Sequence, residues 1–146
     1  MVRLSELPDE ESEYLRGVDC PVFDAEPWVA GPSVNNRRVA IISTAGLQRR
    51  GDTPFNIGAA DYRVISKDTK AKNLMISHIS TNFDRSGFEQ DINVMFPIDR
   101  LKEMADAREI ASVGEFHYSF MGATDPRKME SSARYIAGLL KNDGVD

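Results

Sequence analysis

Apolar residues fall in short runs along the chain, separated by polar, glycine-bearing stretches. Val39-Ala40-Ile41-Ile42 follows the charged pair Arg37-Arg38 and is unbroken. Such a run predicts a strand buried on both faces, ending in Ser43-Thr44-Ala45-Gly46. Tyr62 to Ser66 (YRVIS) predicts a second strand. Between them, Gln48 to Ala60 holds Gly51, Pro54 and Gly58 and shows no helical period. A parallel crossover needs a helix-sized connection, so the second strand is expected to be antiparallel or at an edge. Leu74 to Ile79 predicts a third strand and Ile110 to Phe116 a fourth. Behind Pro97, the spacing of Leu101, Met104 and Ala105 predicts a helix to about Arg108. Thr81 to about Phe96 is expected to be a polar loop. Asp125-Pro126 predicts another helix start, with the acid as cap. Met129, Ala133, Ile136, Ala137 and Leu140 make the apolar stripe of that helix. Strand–helix–strand–helix order predicts an α/β fold: a three-layer, mostly parallel sheet of Rossmann-like or flavodoxin-like βα units.

The first 36 residues have a different texture. Ser5 is placed to cap a short helix running to about Leu15, with Asp9, Glu10 and Glu11 near its positive end. Gly17, Pro21, Pro27, Gly31, Pro32 and Asn35-Asn36 then make a linker, which Phe23 and Trp28 are expected to pin onto the body. The predicted organisation is an acidic N-terminal arm and linker, 1–36, followed by an α/β domain, 37–146. Charge sharpens that division. Residues 1–26 carry eight acids against Arg3 and Arg16, while the remaining fifteen acids nearly balance sixteen bases. The body lacks the basic footprint of a nucleic-acid binder. No run approaches the roughly 18 apolar residues of a membrane span. The polar N-terminus is not a secretory signal. Cys20 is the single cysteine, which excludes an intrachain disulfide. The expected compartment is the cytoplasm.

Open parallel sheets bind ligands beyond the carboxyl ends of their strands. Both histidines of the chain, His78 and His117, fall at predicted strand ends. If those strands are parallel neighbours, His78, His117 and the Thr44–Gly46 turn share one rim. The helix start at Asp125 would offer free N–H groups to a carboxylate. The segment from Asp84 to Arg100 is dense in polar groups, including Asp84, Asp91 and Asn93. Two histidines with Asp84 or Asp91 would suit a metal, but the spacing matches no dedicated motif, and no metal is expected. The alternative for each histidine is a local hydrogen bond that terminates its strand. Cys20 has no neighbouring base and is expected to be inert. The chain has no G-x-G-x-x-G, no G-x-x-x-x-G-K-[ST] and no G-x-S-x-G, so nothing points to a nucleotide cofactor or a serine hydrolase.

Five segments, taken in order, resemble a known family: RVAIISTAG (38–46), DYRVIS (61–66), LMISHIS (74–80), FDRSGFEQDINVMFPIDRL (83–101) and FHYSFMGATDP (116–126). They are similar to the selenoprotein B family of glycine, sarcosine and betaine reductases and D-proline reductase, and the resemblance spans 37–146. It implies an oxidoreductase system in which thiol electrons drive cleavage of a C–N bond in a small amino-acid-like substrate. It also implies a selenocysteine or cysteine nucleophile, a pyruvoyl-type carbonyl on a partner subunit, and reductase subunits or a homo-oligomer as partners. By their position at strand ends and a helix start, His78 and His117 are the expected acid–base groups, and Thr44, Gly46, Asp84, Asp91, Asn93 and Asp125 the substrate side. The family's reactive residue follows a further strand, beyond a segment like Lys141–Asp146. The chain is therefore expected to carry the scaffold without the redox residue, as a natural truncation, a stop at a selenocysteine codon or an expressed fragment. The alternative function is a non-catalytic binding or subunit-interaction module whose open sheet edge a partner completes.

Overall fold

The computed structural model describes residues 3–19, 22, 24, 26, 28–80 and 83–146. Seven strands and four α-helices occupy them. In chain order they are α1 (Asp9–Gly17), β1 (Arg38–Val39), β2 (Ile42–Ser43), β3 (Leu47–Arg49), β4 (Tyr62–Ser66), β5 (Leu74–Ile76), α2 (Ser86–Gln90), α3 (Ile98–Asp106), β6 (Ser112–Val113), β7 (Phe116–Phe120) and α4 (Glu130–Asn142). The fold is mixed α/β.

Two ladders are parallel, β1 with β6 and β2 with β7; two are antiparallel, β4 with β7 and β3 with β5. YRVIS is thus antiparallel and at an edge, as its short connection requires. The third predicted strand departs from expectation. Leu74–Ile76 does not join the parallel pairs; it pairs with Leu47–Arg49, a strand at the start of the stretch that shows no helical period. Gly46 makes that possible. With φ +65° it turns the chain away from β7, its N–H donating to Phe120 O and its C=O accepting from Ser77 N–H. Only glycine adopts such a turn freely. Leu47 N–H then donates to the buried Ser119 Oγ at 2.7 Å.

β1 and β2 run along β6 and β7 with a jump in register. Val39 faces Val113 and Ile42 faces Tyr118, so three steps on one side match five on the other. The surplus is a bulge around Gly114–His117, and bulges re-aim side chains. A Cβ on Gly114 would lie 3.1 Å from Asp143 Oδ2 and 3.3 Å from Ala40 Cβ. The missing side chain lets the end of α4 close over the bulge. Asp143 ties it down, accepting from Glu115 N–H at 2.7 Å and pairing with Arg38 Nη2 at 2.7 Å.

Side chains alternate across a strand, and β7 is buried from His117 to Phe120. Tyr118 and Phe120 pack with Ile136 of α4, while Ala45, Leu47, Ile65 and Leu74 form a separate core with Ile92, Phe96 and Ile98. Of the predicted C-terminal stripe, Ile136 is buried and Met129 and Leu140 pack beside it, whereas Ala133 and Ala137 are exposed; α4 itself begins at Glu130, after a 3-10 turn at Pro126–Met129. The predicted polar loop holds α2 and a 3-10 turn at Ile92–Val94. In the arm, helix occupies Asp9–Gly17 rather than starting at Ser5. Trp28 is 89% exposed and does not pin the linker; Phe23 and Cys20 lie outside the described residues.

Candidate functional site

The Gly46 turn brings three chain segments to one rim: Thr44 after β2, His78 after β5, and Gly122 after β7. Ala45 bridges Met121 beneath them. A Cβ on Gly46 would lie 3.0 Å from His78 Cα. One on Gly122 would lie 2.6 Å from Thr44 O and 3.2 Å from His78 Nε2. Both glycines are thus required by close approach, and His78 Nε2 sits beside exposed Gly122 and Thr44. Of the predicted site, Thr44, Gly46 and His78 are assembled here.

The His78 ring is held on one face and through Nδ1. Phe83 stacks on it at 4.1 Å and 15°. Nδ1 accepts from Ser80 N–H at 3.2 Å, and its C=O accepts from Arg85 Nη2 at 2.6 Å. Burial, then the nearby Arg85 guanidinium, holds the imidazole below the usual histidine pKa. The ring is therefore neutral at pH 7, and the accepting Nδ1 assigns the proton to Nε2. The group at the rim is a fixed N–H donor.

His117 has a different setting. It lies inside β7, not at a strand end, because the fourth strand runs on to Phe120. The ring is fully buried and packs edgewise on Phe96 at 5.7 Å. Its Nδ1 accepts from Ile41 N–H at 3.1 Å, filling the gap the bulge leaves in the ladder. Nε2 is buried without a partner. Burial first, then Lys102, pushes the pKa down to about 4, against a smaller opposing effect of Asp143.

The predicted acids stand apart from His78. Asp84 is exposed and accepts from Ser86 N–H at 2.8 Å, at the start of α2. Asp91 accepts from Asn93 N–H at 2.9 Å, and Asn93 Oδ1 accepts from Asp99 N–H at 3.0 Å. Asp91 and Asn93 line a cleft with Lys72 and Leu74 rather than with either histidine. Asp125 accepts from Arg127 N–H at 3.0 Å and holds the Arg127 guanidinium at 2.9 Å, so it takes up an N–H group at its own helix start. Among the described residues no group of three His, Cys, Asp or Glu is placed to hold a metal ion. Gly122 and Phe83 were not singled out by sequence. The signal available was adjacency, since both lie within the quoted segments that flank the histidines.

A mixed α/β domain with a fixed imidazole donor beside two close-packed glycines is what this chain presents, and over most of its length it is similar to a component of a proline reductase. That protein is the D-proline reductase subunit gamma of Acetoanaerobium sticklandii, 34% identical over 130 residues. The match covers 86% of this chain and 53% of the relative. The chain thus spans about half the length of the curated relative it matches. No protein-family model matches, and no solved structure does. No helix among the described residues is long and apolar enough to cross a membrane.

Proposed function

We propose that the chain is the scaffold and substrate-side part of a cytoplasmic reductase of the selenoprotein B type, acting with other reductase subunits on a small amino-acid-like substrate. Glycine, sarcosine, betaine and D-proline are the candidates. The observation that carries the reading is His78, whose neutral ring is held to present Nε2–H beside Gly122 and Thr44. The similarity to a D-proline reductase subunit supports the substrate class. In this reading Nε2–H donates a hydrogen bond to the substrate carboxylate. Gly46 and Gly122 keep the segments close enough to hold that donor. His117, Asp91, Asn93 and Asp125 support the frame, and Asp84 and Arg85 fix the segment behind the ring. The thiol or selenol that attacks, the electrons, and any pyruvoyl-type carbonyl come from other parts of the complex. The proposal extends the fold to a three-layer α/β unit completed outside these residues.

The test is ligand titration of the chain together with its partner subunits, followed by ¹⁵N NMR of the imidazoles. D-Proline or a glycine-type ligand is expected to shift His78 Nε2 and leave His117 unmoved. His78→Gln is expected to weaken binding at least about tenfold, the scale of one lost hydrogen bond to a charged group. Unchanged affinity in that variant refutes the assignment. A second reading is favoured by one observation: β2 is at the edge of its sheet, and Ile42 on it is 55% exposed. It makes the chain a subunit-interaction module whose edge pairs with a partner strand. Amide protection at Ala40 and Ile42 that appears only with partner subunits, without any ligand-dependent shift at His78, would select it.

A further inference from the structure

Away from the His78 rim, the turn after β3 and the loop after β4 enclose a groove of about 920 Å³. It is lined by Arg49, Arg50, Lys70 and Lys72 against Asp52 and Asp68. Arg49 is already committed to Asp52, in a two-pronged pair at 3.1 and 3.2 Å. Arg50, Lys70 and Lys72 are exposed and have no acidic partner among the described residues. The groove therefore offers three uncommitted cations in one place, although the body as a whole is nearly neutral.

The complementary surface is on the arm. Helix α1 exposes Asp9, Glu10, Glu11 and Glu13, none of them in an ion pair among the described residues. Tyr14, Leu15 and Val18 are 73%, 43% and 47% exposed. Residues at spacings of three, four and seven share a helix face, so Glu11, Tyr14, Leu15 and Val18 form one unpartnered stripe. Among the described residues, no hydrogen bond or ion pair joins 3–19 to the body. Each copy thus carries an acidic helix with an exposed, partly apolar stripe and a basic groove, with no hydrogen bond or ion pair between them among the described residues.

We propose that α1 of one copy docks in the basic groove of a second copy, and reciprocally, giving a twofold arm-exchanged dimer. Such an interface is self-complementary, because each subunit contributes both surfaces. Its acid–base contacts lie near the surface, so salt weakens it: the screening length falls from about 10 Å at 0.1 M to about 3 Å at 1 M.

Sedimentation velocity of the full 146-residue chain tests this. The expected result is a dimer at about 0.05 M salt whose dissociation constant rises at least about tenfold at about 0.5 M. Two variants make the test specific. One reverses the groove (Arg50→Glu, Lys70→Glu, Lys72→Glu); the other reverses the helix (Glu10→Lys, Glu11→Lys, Glu13→Lys). Each alone sets like charge against like and is expected to be monomeric. Mixed, each arm again meets a groove of opposite sign, and a heterodimer is expected. A wild-type monomer at low salt, a dimer indifferent to either reversal, or no dimer on mixing would overturn the proposal.

Discussion

His117 makes a sharp prediction about acid stability. Its ring is fully buried and its Nδ1 accepts the Ile41 N–H, so the folded chain holds it neutral. The pKa falls from 6.5 to about 4. At about 1.4 kcal/mol per pH unit, that is roughly 3 kcal/mol of stability tied to the neutral ring. The sign follows from the direction. A base whose pKa is lowered on folding contributes fully above its unfolded value and loses that contribution as pH drops from about 6.5 to about 4. Below that the unfolded and folded rings are both charged and the loss stops. His117→Phe keeps an aromatic ring against Phe96 but cannot titrate. It removes the unpartnered Nε2–H and leaves Ile41 N–H without an acceptor, a net cost at pH 7 below about 3 kcal/mol. Urea unfolding at a series of pH values from 7.5 to 4 is the assay. The wild type is expected to lose about 3 kcal/mol more than the variant over that window, so the two curves converge or cross. His78 is lowered in the same direction, but it titrates equally in both proteins and cancels. Parallel curves would refute the reading that the bulge is plugged by a neutral imidazole.

Three further substitutions probe the frame by urea midpoint at pH 7. Gly122→Ala places a methyl 2.6 Å from Thr44 O, which is backbone and cannot swing away; a loss of about 1–3 kcal/mol is expected, together with a moved His78 Nε2 resonance. Asp143→Ala removes the acceptor of Glu115 N–H and the partner of Arg38, whose Nε is already buried without a partner. It should cost about 1–2 kcal/mol, since the pair is partly screened by solvent. Ser119→Ala strands the buried Leu47 N–H, and about 1–3 kcal/mol is expected.

What was legible in the sequence follows local physics. The apolar stripe after Asp125 and the spacing behind Pro97 each specify a helix by period, and both helices form, although Ala133 and Ala137 of that stripe are exposed. YRVIS was placed as antiparallel or at an edge by connection length, a local constraint. The pairing of Leu74–Ile76 was not legible, because it depends on one backbone angle at Gly46 that redirects the chain toward β5. The bulge was equally hidden. A surplus of two residues opposite Ala40–Ile41 is a property of two segments some seventy residues apart, and nothing in either announces it. The polar segment after His78 looked like one loop because α2 is a single short helix and the next turn is 3-10. Its acids are placed by their own backbone N–H groups, which period-based reasoning does not see.

The two histidines show how far residue type alone carries a functional reading. Both have Nδ1 fixed by a backbone N–H, from Ser80 and from Ile41. Both are therefore neutral Nε2–H tautomers at pH 7, and chemistry by itself does not separate them. What separates them is where Nε2 ends. In His117 it is buried without a partner, and the ring's effect is exerted on the ladder through Nδ1. In His78 it emerges where Gly122 and Thr44 are exposed, with Phe83 and Arg85 holding the ring and backbone behind it. A neutral N–H at that rim is suited to donate a hydrogen bond to a carboxylate, and poorly suited to remove a proton. The proposed chemistry therefore requires the attacking group to arrive already ionised, as a thiolate or selenolate does, and to come from outside the rim. If His78 were instead a base, its activity would collapse as pH falls through the lowered pKa of its imidazole; as a donor it persists there, and the pH profile of His78-dependent turnover in the assembled complex distinguishes the two.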